Sequence, residues 1–140
     1  MVLDINATKV GCEPNYSLIE QFAGECFMPL TYGGGINTLE QASNIFSLGV
    51  EKLCVQTSAI KDPDFISKLS HRFGSQSIVV SVDIKKNWRG KRKVMYSADH
   101  KLIDQNWKSL LKKFVSLGAG EVLLNSVDKD GTLSGPDLEL

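Results

Sequence analysis

An α/β fold of parallel strands, of the (β/α) barrel kind, is the class that this sequence predicts, and three observations predict it. Strand-like and helix-like segments alternate strictly along 140 residues, five strands with four helices and a terminal helical turn. The run Ser77-Ile-Val-Val-Ser-Val-Asp83 is almost continuously apolar, as a strand covered on both faces requires. Residues 47–55 resemble residues 116–124, each a helix end, a glycine stop and a strand, as duplication of βα units would leave them. An open doubly wound sheet has the weaker claim, because no Gly-x-Gly-x-x-Gly fingerprint follows the first strand.

Each element follows from its local pattern. Residues 2–5, Val-Leu-Asp-Ile, are short and apolar and predict the first strand. Glu13-Pro14-Asn15 is a turn signal, after which Leu18, Ile19, Phe22, Ala23 and Cys26 mark one face of a helix. Residues 28–32 are β-prone, with Pro29 near the start, where a strand tolerates proline. Gly33-Gly34-Gly35 ends that strand, and Asn37 with Glu40 predicts a capping box. Leu39, Ala42, Ile45, Phe46 and Leu48 carry the next helix to a stop at Gly49. A strand over residues 50–55 leads to Asp62-Pro63, an N-cap with proline at the first helical position. Phe65, Ile66, Leu69 and Phe73 then form a stripe ending at Gly74, before the strand over 77–83.

The basic segment 85–93, with Gly90 in its middle, predicts a hairpin or loop whose second arm is residues 93–96. A helix over 104–117 follows, with Trp107, Leu110, Leu111, Phe114 and Val115 facing inward. Residues 121–124 are the last strand, residues 128–132 a polar loop, and residues 136–140 the first turn of a helix.

Composition narrows the function classes. Sixteen basic residues balance sixteen acidic ones, which argues against the strongly basic surface of a nucleic-acid module. No apolar run approaches the ~18 residues of a membrane span, and the first residues lack the basic and apolar regions of a signal peptide. Cys12, Cys26 and Cys54 are odd in number and contain no Cys-x-x-Cys pair, so they read as reduced thiols of a cytoplasmic protein.

Chemistry in parallel α/β proteins sits at the C-terminal ends of strands. Asp4 and Asn6 fall there, as do Gly33-Gly34-Gly35, then Gln56-Thr57-Ser58, Asp83, and Asn125-Ser126 with Asp128, Asp130 and Gly131. The triple glycine before a helix suits a phosphate cradle, although a plain tight turn would use the same residues. Asp83 ends the most apolar strand, where a carboxylate costs solvation unless it is paired, for instance to Lys85, or does acid–base work. Asp128-Lys-Asp-Gly-Thr fails the register of a calcium loop: with Asp128 as its third position, Asp137 occupies the place of the bidentate glutamate. No metal or cofactor is implied. His71 and His100 are isolated and read as surface histidines, and Cys54 as a small buried hydrophobe. The basic run after Asp83 reads as a solvated hairpin that could touch a phosphorylated ligand. Lys52 and Glu121 lie at the opposite, N-terminal strand ends, where charges usually serve stability.

Five motifs then occur in order: residues 3–8 (Leu-Asp-Ile-Asn-Ala-Thr), 29–36 (Pro-Leu-Thr-Tyr-Gly-Gly-Gly-Ile), 73–76 (Phe-Gly-Ser-Gln), 79–83 (Val-Val-Ser-Val-Asp) and 117–132, from Leu117-Gly-Ala-Gly-Glu to Asp128-Lys-Asp-Gly-Thr. Together they strongly resemble the HisF family, the cyclase subunits of imidazole glycerol phosphate synthase, over essentially the whole chain. The resemblance implies a partial TIM (β/α)8 barrel of about five parallel strands, a single incomplete domain over residues 1–140. It lacks the first strand and the last two βα units of a barrel of ~250 residues, so residues 2–5 and 122–124 are expected as exposed apolar edges.

The family's cyclase takes ammonia from a glutaminase partner. It converts a bis-phosphorylated formimino carboxamide ribonucleotide into imidazole glycerol phosphate and an aminoimidazole carboxamide ribonucleotide, with two aspartates as general acid and base. One maps onto Asp83; the other has no counterpart, so the 140-residue chain alone is expected to be inactive. The resemblance assigns one substrate phosphate to Gly34, Gly35 and Thr57 and the other to the loop at Gly131. Asp4, Gln56, Asn125 and Asp130 are expected in the substrate pocket, and Lys52 and Glu121 match two charges of the family's ammonia gate.

Several positions depart from the family's pattern. Gln56 stands where asparagine is usual, Asn125 where threonine is common, and Pro136 where tyrosine follows Gly135. Residues 97–102, Ser-Ala-Asp-His-Lys-Leu, replace a Gly/Lys-rich loop. Together with residues 6–9 and 25–30 they suggest a branch associated with surface-polysaccharide loci. The alternative function is therefore an ammonia-channelling partner of a sugar amidotransferase.

Overall fold

The computed structural model describes residues 1–96 and 98–140, and of Thr8 and Lys9 the backbone alone. The replaced loop thus begins at a residue, Ser97, that lies outside the described ones. Among the described residues seven strands form one sheet: β1 (Val2–Leu3), β2 (Thr31–Gly33), β3 (Lys52–Val55), β4 (Ile78–Lys86), β5 (Arg92–Tyr96), β6 (Lys101–Ile103) and β7 (Glu121–Ser126). Five of them run parallel in the order β1-β2-β3-β4-β7. The sheet ends at β1 and β7 and does not close into a barrel. The antiparallel strands β5 and β6 stand on the C-terminal half of β4, on the side where β3 pairs with its N-terminal half. The sequence predicted one hairpin arm, and the structure adds a second.

Helices α1 (Ile5–Val10), α2 (Tyr16–Glu25), α3 (Leu39–Ser47), α4 (Thr57–Lys61), α5 (Asp64–Phe73) and α6 (Trp107–Ser116) connect the strands. Alternation along β4 divides the sheet. Ile78, Val80, Val82 and Ile84 point to the helix side, at 2% exposure or less, and pack with Ile45, Leu53, Ile66, Leu69 and Phe114. Ser81, Asp83 and Lys85 take the other face and line a cleft.

The structure corrects several boundaries. The first strand stops at Leu3, because Asp4 is an N-cap: its Oδ1 accepts the backbone N–H groups of Asn6 and Ala7, both at 3.0 Å. Ile5 is therefore the first residue of α1 and is exposed. The capping box lies one residue beyond the expected pair: Thr38 accepts from the Gln41 N–H at 3.1 Å and Gln41 Oε1 accepts from the Thr38 N–H. Asn37 instead donates its amide to the Gly35 carbonyl at 2.9 Å. Pro63 occupies the N-cap position of α5, and Asp62 caps from outside by accepting the Asp64 N–H. The unforeseen α4 is a single turn without a side-chain cap.

On α2 the buried stripe is Ile19, with Ala23 and Cys26 half-buried, while Leu18 and Phe22 sit at the rim. Val115 is 57% exposed, since Trp107, Leu110, Leu111 and Phe114 already fill the inward face of α6. Residues 136–140 form a turn and no helix. The expected exposed edges are present in part: Leu3 and Val122 are exposed, whereas Leu123 and Leu124 are half-buried.

The approach to β7 is tight. A Cβ on Gly120 would fall 2.1 Å from the Ser75 carbonyl oxygen, so the backbone would have to shift. Gly24, in α2, has open space around it. Gly120→Ala is expected to cost about 1–3 kcal/mol of stability. Gly24→Ala should gain about 0.5–1 kcal/mol. Urea unfolding midpoints measure both, and a neutral Gly120→Ala would contradict the packing described.

Candidate functional site

The C-terminal ends of β1, β2, β3, β4 and β7 enclose a cleft of about 600 Å³. Of the residues that the sequence singles out, Asp4, Gly34, Gly35, Gln56, Thr57, Asp83, Asn125 and Asp130 line it. Gly131 does not; it is exposed, with nothing within 4 Å of where its Cβ would be.

Asp83 stands where three strands meet. It is opposite Asn125 of β7 on one side and Met95 of β5 on the other. The Asn125 amide donates to its Oδ1 at 3.1 Å, so asparagine here steers one carboxylate oxygen and leaves the side chain half-buried at the cleft surface. The suggested pairing with Lys85 is absent from the ion pairs of the described residues.

The glycine turn is held against the start of α1. A Cβ on Gly34, whose φ is +126°, would lie 2.4 Å from the Asp4 carbonyl oxygen, and the Asp4 N–H donates to the Gly33 carbonyl at 2.7 Å. Only glycine fits that approach. The capping box consumes the N–H groups of Asn37, Thr38 and Gln41.

Lys52 and Glu121 form an ion pair at the other, N-terminal end of the sheet, spanning β4. They are brought to each other and not to the cleft. The loop carrying Asp130 is tied to β4: the Lys86 N–H donates to Asp128 at 2.8 Å, and the Val127 N–H to the Ile84 carbonyl at 2.9 Å. Asp128 is thereby occupied in a structural bond. Among the described residues no group of three or more His, Cys, Asp or Glu side chains could hold a metal ion.

Lys85, which follows Asp83 at the strand end named from the sequence, shares its face of β4 and lines the cleft. One cleft residue reads in the sequence as a surface histidine. His100 lines the cleft from the turn between β5 and β6 with a left-handed φ of 55°. No local pattern announces that, since the turn is placed by pairing of β5 with β6. Cys54 is buried as expected and also lines the cleft. Burial, followed by the negative charge of Asp83, pushes its thiol up to about 12.

Comparison with known proteins gives a consistent picture. The family model described as Histidine biosynthesis protein matches residues 1–140. A putative imidazole glycerol phosphate synthase subunit HisF of Leptospira borgpetersenii is 49% identical over 140 residues, covering 99% of this chain and 55% of its own length. A putative subunit hisF2 of Pseudomonas aeruginosa is 46% identical, covering 98% and 55%. The imidazole glycerol phosphate synthase subunit HisF of Dictyoglomus thermophilum is 36% identical, covering 100% and 56%. The chain spans about half the length of the curated relatives it matches. No helix among the described residues is long and apolar enough to cross a membrane.

The buried thiol yields a pH prediction. In the folded chain Cys54 keeps its proton to about 12, against an ordinary 9.0. Tyr32, raised by burial and then by Asp4, shifts from 10.0 to about 12. Between those values the unfolded chain has released protons that the folded chain retains. Stability is therefore full below pH 9.0 and declines as the pH rises toward about 12. Urea midpoints should fall across that window, and less steeply for Cys54→Ala; equal slopes would contradict the assignment.

Proposed function

The chain belongs to the histidine biosynthesis protein family, and on that premise we propose that it forms the acid–base and phosphate-binding part of an ammonia-using cyclase subunit of imidazole glycerol phosphate synthase. The observation that carries this reading is convergence. Asp83, the Gly34–Gly35 turn and Thr57 come from the ends of three strands, β4, β2 and β3, and they line one cleft of about 600 Å³. That volume suits a small phosphorylated ligand.

Asp83 is the general acid–base. Its carboxylate is oriented by Asn125 and reachable from the cleft, so it can take a proton from, or return one to, a ring-forming intermediate. Gly34, Gly35 and Thr57 hold one phosphate. The second phosphate is assigned to the backbone of the loop at Gly131, which adjoins Asp130 but lies outside the cleft wall. Asp4 caps α1 and so fixes the wall against which the glycine turn packs. Gln56, beside Thr57 on the cleft wall, would contact the substrate.

Ammonia would come from a glutaminase subunit. The Lys52–Glu121 ion pair, at the end of the sheet remote from the cleft, supports an entry point there, with the pair as a charged gate. Relatives carrying the synthase name support this activity over glycan amidation.

Asp83→Asn, made in the full-length protein and assayed with ammonium as nitrogen donor, should lower kcat about 10²–10⁴-fold with a smaller change in KM. An unchanged kcat would remove Asp83 from the chemistry.

A further inference from the structure

The hairpin that joins β4 to β5 ends in a basic tip that the cleft does not use. Residues 85–93, Lys-Lys-Asn-Trp-Arg-Gly-Lys-Arg-Lys, hold six lysines and arginines and no acid, although the whole chain is neutral. Along β5 this charge is answered within the fold: Lys93 pairs with Asp104, and Arg92 with Asp137 and Glu139. Nearer the tip it is not. Lys86, Arg89 and Lys91 are exposed and form no ion pair among the described residues.

Trp88 sits at the apex, 86% exposed. The turn that carries it is held by its own hydrogen bonds. Asn87 Oδ1 accepts the N–H groups of Arg89 at 3.0 Å and Lys91 at 2.9 Å, and the Gly90 N–H donates to the Asn87 carbonyl at 2.9 Å. Gly90 closes the turn with a φ of +73°, a glycine conformation. Below the tip, the Lys86 N–H donates to Asp128 at 2.8 Å and Arg92 grips Asp137, so the hairpin is tied to the loop after β7. The Arg89 guanidinium lies over the indole, 4.3 Å from the ring centroid. An aromatic and a cation are thus presented in a fixed arrangement, which lowers the entropic cost of docking. Neither Trp88 nor Arg89 lines the cleft. The tip also lies at the end of the sheet opposite Lys52 and Glu121, so a partner here would not compete with an ammonia source there.

The chemistry of the tip selects among partners. Tryptophan and arginine are the residues that most often carry binding energy between proteins, and cations without acids complement an acidic surface. A nucleic acid calls for a broader basic surface than this neutral chain offers. A membrane anchor needs more apolar area than the single indole of residues 85–93. We propose that the hairpin tip, Trp88 with Lys86, Arg89 and Lys91, docks an acidic protein partner, the indole entering an apolar recess rimmed by carboxylates.

The full-length protein tests this with a random copolymer of glutamate and tyrosine as the probe. Trp88 emission, isolated by subtracting the spectrum of Trp88→Phe, should move to shorter wavelength and become less open to acrylamide quenching as the copolymer is added. Calorimetric affinity should fall at least about tenfold in Trp88→Ala and in Arg89→Ala, and it should weaken with salt. Lys112→Ala removes an exposed cation from α6 and should leave the affinity as it is. Trp88→Ala should keep the wild-type thermal unfolding and ammonium-dependent turnover, because the indole belongs neither to the core nor to the cleft. Absence of copolymer binding, or an affinity unmoved by both tip variants, overturns the inference. Tighter binding of oligothymidylate, or of phosphatidylserine vesicles, than of the copolymer also overturns it. So does a Trp88 already shielded from acrylamide in the free full-length protein, since the tip is then covered by the rest of its own chain.

Discussion

Strand β4 is the member on which the rest of this molecule depends. It pairs with β3 along its first half, with β5 along its second, and with β7 along most of its length. A strand so enclosed has no solvent face near its start, which is why Ile78 to Val82 are buried without exception. The same enclosure makes the polar residues on it informative. Ser81, Asp83 and Lys85 stand in a row on the face opposite the helices, and that row is one wall of the cleft. Loss of the β4 pairings would separate Asp83 from Asn125, release the loop held by Lys86, and detach the hairpin that carries His100.

Much of this architecture is written in patterns of short range. The apolar run at 77–83 announces a central strand, and the stripes on α3, α5 and α6 announce the layer that covers it. The strand-end rule then picks out Asp83, Thr57 and the triple glycine, and the structure brings all three to one cleft. What the sequence conceals depends on competition between near-equivalent local solutions. Asp4 can end a strand or cap a helix, and its two bonds to Asn6 and Ala7 decide for the cap. Asn37 and Thr38 can each cap α3; Thr38 does, because Gln41 closes the box and Asn37 bonds back to Gly35. The position of His100 depends on a second hairpin pairing between residues far weaker in β pattern, and nothing near it in sequence signals a cleft.

Charge is divided between the two ends of the sheet. At the N-terminal end Lys52 and Glu121 neutralise each other across β4. At the C-terminal end the described residues that line the cleft include three aspartates and one lysine. That imbalance favours protonated thiol at Cys54, whose burial and proximity to Asp83 act in the same direction.

The central claim is that one cleft both grips phosphate and presents Asp83 to the reacting ring. Crystals of the protein with imidazole glycerol phosphate test it most directly. The account predicts the phosphate on the Gly34–Gly35 turn beside Thr57, with the imidazole end within hydrogen-bond reach of the Asp83 carboxylate. Ligand bound elsewhere on the molecule, with this cleft empty of it, would contradict the claim.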